Sequence, residues 1–166
     1  MKNIVLIGMR GSGKSTLGKA LAKEHGLPFF DTDREIERTA GKPVAAIVAE
    51  DGWENFRALE AEVCAELAEQ TGGMIATGGG VVLDERNIQS LRKNGLFVFL
   101  WFSLKDLEER IMADSSKRPT LIAGLSLTEE LKQVWTERRE KYFTAADLVW
   151  RGSEVRGLWE KIQEFI

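Results

Sequence analysis

The chain has a single cysteine, Cys64, so no disulfide can form within it, and a reducing compartment is its simplest home. It also has a single histidine, His25, which leaves no material for a histidine-based metal cluster or a Ser-His-Asp triad. Positive charge is not in excess: 26 acidic against 23 basic residues give a formal net charge of -3. A protein that binds nucleic acid through bulk attraction to phosphate would carry a basic surface, so no nucleic-acid partner is expected and any phosphate chemistry must be local. Long hydrophobic runs are missing too. The longest, residues 96–102, is far too short to cross a bilayer and reads as a buried strand, so no membrane partner is expected. Residues 1–8 carry a lysine and a brief apolar run without a small-residue cleavage site, which predicts no signal peptide and a cytoplasmic protein.

What is present suits one domain over residues 1–166, since 43% hydrophobic content in a chain of this length can bury a core without staples. Apolar stretches of strand length fall at residues 3–7, 28–30, 74–76, 96–102 and 147–150, with longer amphipathic segments between them. Parallel strands need crossovers, and strands alternating with helices predict an α/β fold of three layers, a parallel sheet covered by helices on both faces. Repeats, low-complexity tracts and Pro/Gly/Ser-rich linkers are absent. Residues 112–125, with Asp114, Ser115, Ser116, Lys117, Arg118 and Pro119, interrupt two helical patterns and predict a mobile loop.

The first strand runs directly into Gly8-Met9-Arg10-Gly11-Ser12-Gly13-Lys14-Ser15, which matches G-x-x-x-x-G-K-[ST], and a helical pattern through Leu17, Ala20 and Leu21 follows. Glycines let the backbone wrap an anion, converging N–H groups meet phosphate oxygens, and the positive end of the helix dipole adds to the attraction. The pattern assigns nucleotide phosphates to Gly11, Ser12, Gly13, Lys14, Ser15 and Thr16, with Lys14 on the β- and γ-phosphates and the Ser15 hydroxyl on Mg²⁺. A chance match in a chain this long is on the order of one per cent, before the flanking strand and helix are required.

The second strand ends in Asp31-Thr32-Asp33, which a right-handed crossover brings to the same sheet edge as the phosphate loop. In an extended chain both carboxylates face one side and could share a pocket; alternatively either one caps the helix that begins near Arg34. Gly78-Gly79-Gly80 follows the third strand at that edge and suits close backbone approach. In the last long helical pattern Arg138 falls within the apolar stripe Leu131, Val134, Trp135 and Tyr142, and Arg57 sits beside the stripe Phe56, Leu59, Val63 and Leu67. Each could hold an anion or could pack its stem while its head reaches water.

Taken in order, these residues resemble the shikimate kinase family over nearly the whole chain: the phosphate loop, Asp31-x-Asp33, Phe56-Arg57, Gly78-Gly79-Gly80, Arg118-Pro119 and Arg138-x-x-x-Tyr142. The resemblance implies a nucleoside-monophosphate-kinase-like P-loop fold with five parallel strands, substrate-binding helices over residues 34–62 and a lid over 112–125. It also implies phosphorylation of the 3-hydroxyl of shikimate by ATP, in aromatic amino acid biosynthesis. Asp33 would contact the shikimate hydroxyls as base or orienting group, and Arg57, Arg138 and the backbone at Gly79 would hold its carboxylate. Asp31 and Ser15 would hold Mg²⁺, Lys14 and Arg118 would face the transferring phosphoryl group, and Arg110 would lie against adenine. Trp53, Val48 and Glu140 depart from the family's usual pattern, the first two near the acceptor. A monomer is expected. Gluconate-type and nucleoside monophosphate kinases share the phosphate loop, whereas a GTPase switch would need an Asn-Lys-x-Asp segment that the sequence lacks. A non-catalytic ATP-binding module would have no use for Asp33 and Arg118.

Overall fold

The structure, a computed structural model, describes residues 1–114, 122–152 and 154–166. Five strands, β1 (Asn3–Ile7), β2 (Phe29–Asp31), β3 (Met74–Ala76), β4 (Gly95–Leu100) and β5 (Leu148–Trp150), form one parallel sheet in the order β2-β3-β1-β4-β5. Between and after them run α1 (Lys14–His25), α2 (Thr32–Ala40), α3 (Val44–Ala68), α4 (Glu85–Arg92), α5 (Leu104–Ala113), α6 (Leu127–Ala145) and α7 (Val155–Gln163). None of the described helices is long and apolar enough to cross a membrane.

β1 is central and wholly buried, which is why its last four residues, Ile4 to Ile7, read as an unbroken apolar run. Its side chains alternate between two cores. Ile4 and Leu6 join Met74, Leu96 and Val98 against Leu17 and Leu21 of α1 and Leu158 and Ile162 of α7. Val5 and Ile7 join Ile75, Phe97 and Phe99 against α2, α3, α4 and α6 through Ile36, Phe56, Val63, Leu91 and Tyr142. The expected three layers and five strands are therefore present.

Element ends differ from the sequence reading. β2 ends one residue later, at Asp31, and α2 starts at Thr32, so Asp33 is helical and not extended. The cause is local: Asp31 Oδ1 accepts from the N–H groups of Asp33 and Arg34 and turns the chain directly into α2. β4 stops at Leu100, leaving Trp101 and Phe102 beyond the sheet. Beyond β2, α2 is followed by α3, which runs to Ala68 and bends at Gly52, whose φ of 81° and ψ of 169° lie outside helical values. Lys42 straddles the end of that first segment, its Nζ 2.6 Å from both Glu50 and Asp51 carboxylates. α5 runs through Ala113, so the segment expected at 112–125 begins helical, and its residues 115–121 lie outside those described.

Packing of α4 against the start of β4 leaves no room beside Gly95. A methyl group there would overlap the Leu91 carbonyl oxygen and lie 2.9 Å from Val5 Cγ2. Gly95→Ala should therefore destabilise the fold by about 1–3 kcal/mol, the usual cost of overpacking. A urea midpoint equal to that of the unsubstituted protein would show that the α4–β4 junction is looser than described.

Candidate active site

At the carboxyl edge of β1 the chain passes through residues 8–13 and enters α1 at Lys14. Gly11 and Gly13, at φ of 81° and 87°, supply left-handed turns that bend the loop back on itself. Lys14 Nζ donates to the carbonyls of Gly8 at 2.8 Å and Met9 at 3.0 Å, closing the curve. The first helical bond of α1 runs from Leu17 N–H to Gly13 O. The amides of Lys14, Ser15 and Thr16 therefore precede any intrahelical acceptor and form the anion-binding end of the helix.

Asp31 serves this loop and α2 together. Besides capping α2 with Oδ1, it accepts the Ser15 hydroxyl on Oδ2 at 2.6 Å. Of the two alternatives Asp31 takes the cap, while its second oxygen meets the phosphate loop at Ser15. A paired hydroxyl and carboxylate beside the phosphate loop is a donor set of hard oxygens, which fits magnesium, an ion that takes one or two protein ligands and fills its shell with phosphate and water. Among the described residues no cluster of three or more His, Cys, Asp or Glu side chains could hold a metal by itself.

The Gly78-Gly79-Gly80 turn brings the remaining groups together. A methyl group on Gly78 would lie 2.7 Å from Asp33 Oδ1 and 3.2 Å from Glu60 Oε1, and one on Gly80 would overlap Arg57 Nη2. One on Gly79 would lie 3.5 Å from Arg10 N and 3.6 Å from Gly8 O, within the phosphate loop. The turn is therefore the shared wall between Asp33 and Arg57 on one side and the phosphate loop on the other.

Arg57 donates to Glu60 Oε2 at 2.6 Å, and its guanidinium carbon lies 5.1 Å from the Phe56 ring and 5.5 Å from that of Trp53. Glu60 is fully buried, and Asn87 donates to it at 3.4 Å. Burial pushes its carboxyl above the usual range, the Arg57 charge and hydrogen bond oppose this, and Asp33 adds to the rise. Arg138, with its side chain only 12% exposed, has its Nε buried without a hydrogen-bond partner and 3.6 Å from Glu137 Oε2. One turn later, Tyr142 donates its hydroxyl to the Gly79 carbonyl. Glu60, Asn87 and this tyrosine bond were not anticipated. The i,i+3 spacing of Arg57 and Glu60 was the one available signal for the first.

Arg110 lies on the far side of the phosphate loop. Its Nη1 is 3.4 Å from Gly11 O and 3.3 Å from Ser12 O, and its guanidinium carbon is 4.1 Å above the Phe102 ring. Trp101, Phe102, Asp106, Arg110 and Arg151 line a cavity of about 480 Å³ there, with Arg151 stacked 4.2 Å over Trp101. Trp101 is thus a wall of a cavity. Trp159 does pack, stacked 3.8 Å from His25. Arg118 and Pro119 lie outside the described residues.

Tyr142 is the chain's only tyrosine, so its ionisation can be read without interference from another. Burial pushes the phenol up to about 12, while Arg138 and Arg57 pull the other way. Its unfolded value is about 10, so the folded state keeps a proton that the unfolded chain releases. Stability from this group is complete below about pH 10 and is lost as pH rises towards about 12. Phenolate absorbance of the native protein should appear near the higher value and that of the denatured chain near the lower. Native titration at the ordinary value would mean that the hydroxyl is solvated.

The family model for shikimate kinase matches residues 10–166. Shikimate kinase 2 of Photorhabdus laumondii is 38% identical over 146 residues, 87% of this chain and 83% of its own. The shikimate kinase of Symbiobacterium thermophilum is 42% identical over 144 residues, again 87% of this chain and 83% of its own. The solved structure of shikimate kinase from Acinetobacter baumannii in complex with shikimate has a TM-score of 0.87 at 29% identity, covering 99% of this chain and 92% of that one. Matched over nearly its whole length in both sequence and shape, the protein belongs to the shikimate kinase family.

Proposed function

We infer that the protein transfers the γ-phosphoryl group of ATP to the 3-hydroxyl of shikimate, giving shikimate 3-phosphate and ADP in aromatic amino acid biosynthesis. The observation that carries this reading is the Gly78–Gly80 turn, which sets Asp33 and Arg57 against one side and the phosphate loop against the other. Donor and acceptor sites therefore share a wall one backbone thick.

ATP would lie with its phosphates on the amides of Gly11, Ser12, Gly13, Lys14, Ser15 and Thr16 and its base in the cavity beside Phe102 and Arg110. The shikimate carboxylate would take the guanidinium groups of Arg57 and Arg138 and the backbone at Gly79; planar forks match a carboxylate better than ammonium groups do. That orientation directs the ring hydroxyls at Asp33. Asp33 accepts the proton of the 3-hydroxyl or orients it, the hydroxyl oxygen bonds to the γ-phosphorus, and the oxygen bridging to ADP departs with the bond's electrons. Lys14 neutralises charge on the moving group, which is most of what phosphoryl transfer asks of a protein. Ser15 and Asp31 would hold Mg²⁺, which supplies further neutralisation at the phosphate oxygens. The kinase is taken as one monomeric domain over residues 1–166, with its acceptor helices at 34–62 and its lid at 112–125. The buried, unpaired Cys64 suits the cytoplasm.

Offered ATP and Mg²⁺ with shikimate, gluconate or nucleoside monophosphates in a coupled assay, the protein should turn over with shikimate; turnover with another acceptor alone would overturn the reading. Asp33→Asn should abolish turnover and leave ATP affinity nearly unchanged, because the phosphate loop is untouched. Arg57→Ala and Arg138→Ala should each weaken shikimate binding by about 2–3 kcal/mol, the usual loss when a charge-assisted pair is broken. Normal shikimate affinity in both variants, measured by calorimetry, would place the carboxylate elsewhere.

A further inference from the structure

Glu130 lies in the first turn of α6 and is 1% exposed. An acidic residue at a helix start gains from the dipole while staying in water, so burial needs a separate cause. Among the described residues two contacts contribute to it. Oε1 lies 3.6 Å from Arg10 Nη1, and Oε2 accepts the Ile122 N–H at 3.2 Å. Arg10 is a phosphate-loop residue whose side chain leaves the loop towards α6 and is 15% exposed. Its neighbour Met9 supplies a carbonyl to Lys14, and its own backbone nitrogen packs beside Gly79.

Steps of four along α6 place Glu130, Val134, Arg138 and Tyr142 on one side of the helix. Glu130 meets the phosphate loop, Val134 enters the core, and Tyr142 donates to Gly79. A helix of 19 residues is thus fastened to the nucleotide loop near one end and to the glycine turn near the other.

We propose that Glu130 is a positioning residue for ATP: through Arg10 it fixes the phosphate loop against α6, the helix that carries Arg138. This rests on the reading of residues 8–15 as the nucleotide site. A guanidinium within a phosphate loop would otherwise be attracted to the triphosphate itself, and the buried carboxylate directs it to the helix instead. Uncharging either partner frees the loop to shift relative to α6, while Arg57 and its Glu60 clamp, on α3, are not disturbed.

Glu130→Gln and Arg10→Gln test the assignment in the full-length enzyme, by KM for each substrate together with Tm. Each variant should raise KM for ATP about tenfold, a size typical of groups in one buried network, and leave KM for shikimate nearly unchanged. The double variant should be no worse than the poorer single one, since both remove the same link. An unchanged KM for ATP in either folded variant, additive losses in the double variant, or a parallel rise in both KM values with a lowered Tm would overturn the proposal. If Glu130→Gln fails to fold, Arg10→Gln, on a partly exposed side chain, decides by the same criteria. Direct ADP binding to Lys14→Met separates the two layers of inference. Retained affinity there would refute the nucleotide site itself, whereas lost affinity there with wild-type ADP affinity in Glu130→Gln and Arg10→Gln would refute the positioning role alone.

Discussion

Three consecutive residues without side chains, between β3 and the short helical turn Val81–Leu83, set the spacing of everything functional in this protein. Any side chain at Gly78 or Gly80 would drive Asp33, Glu60 or Arg57 outwards. β3 pairs with β1 on one side and β2 on the other, so the turn leaves the sheet between the phosphate loop and the start of α2. Strand order brings the two sites to one edge, and the missing side chains let them touch.

Charge is handled locally throughout. A chain with net charge -3 still gathers Lys14, Arg10, Arg57, Arg110 and Arg138 around that edge. Two buried glutamates, Glu60 and Glu130, sit next to arginines in this group. Burying such pairs gains little net stability, because desolvation offsets attraction. Their worth lies in geometry: a guanidinium tied to a fixed carboxylate keeps its remaining donors pointing in one direction.

The strands at residues 3–7 and 74–76 were readable to the residue, because buried parallel strands appear as bare apolar runs bounded by polar or glycine residues. The end of β4 was not, since Trp101 and Phe102 continue the apolar run yet serve a cavity wall. Asp33 was singled out on the assumption of an extended chain, whereas the Asp31 cap starts a helix at once. The phosphate loop stood out by its motif and Arg138 by its place within an apolar stripe. Glu60 and Glu130 did not, because a glutamate on a helix looks solvated until the tertiary fold buries it.

The bonds from the Lys14 ammonium to the Gly8 and Met9 carbonyls make the loop's concavity a property of its own chain. With the backbone already bent by its own cation, a triphosphate would need little of its binding energy to shape the cradle and would exchange one set of oxygen partners for another.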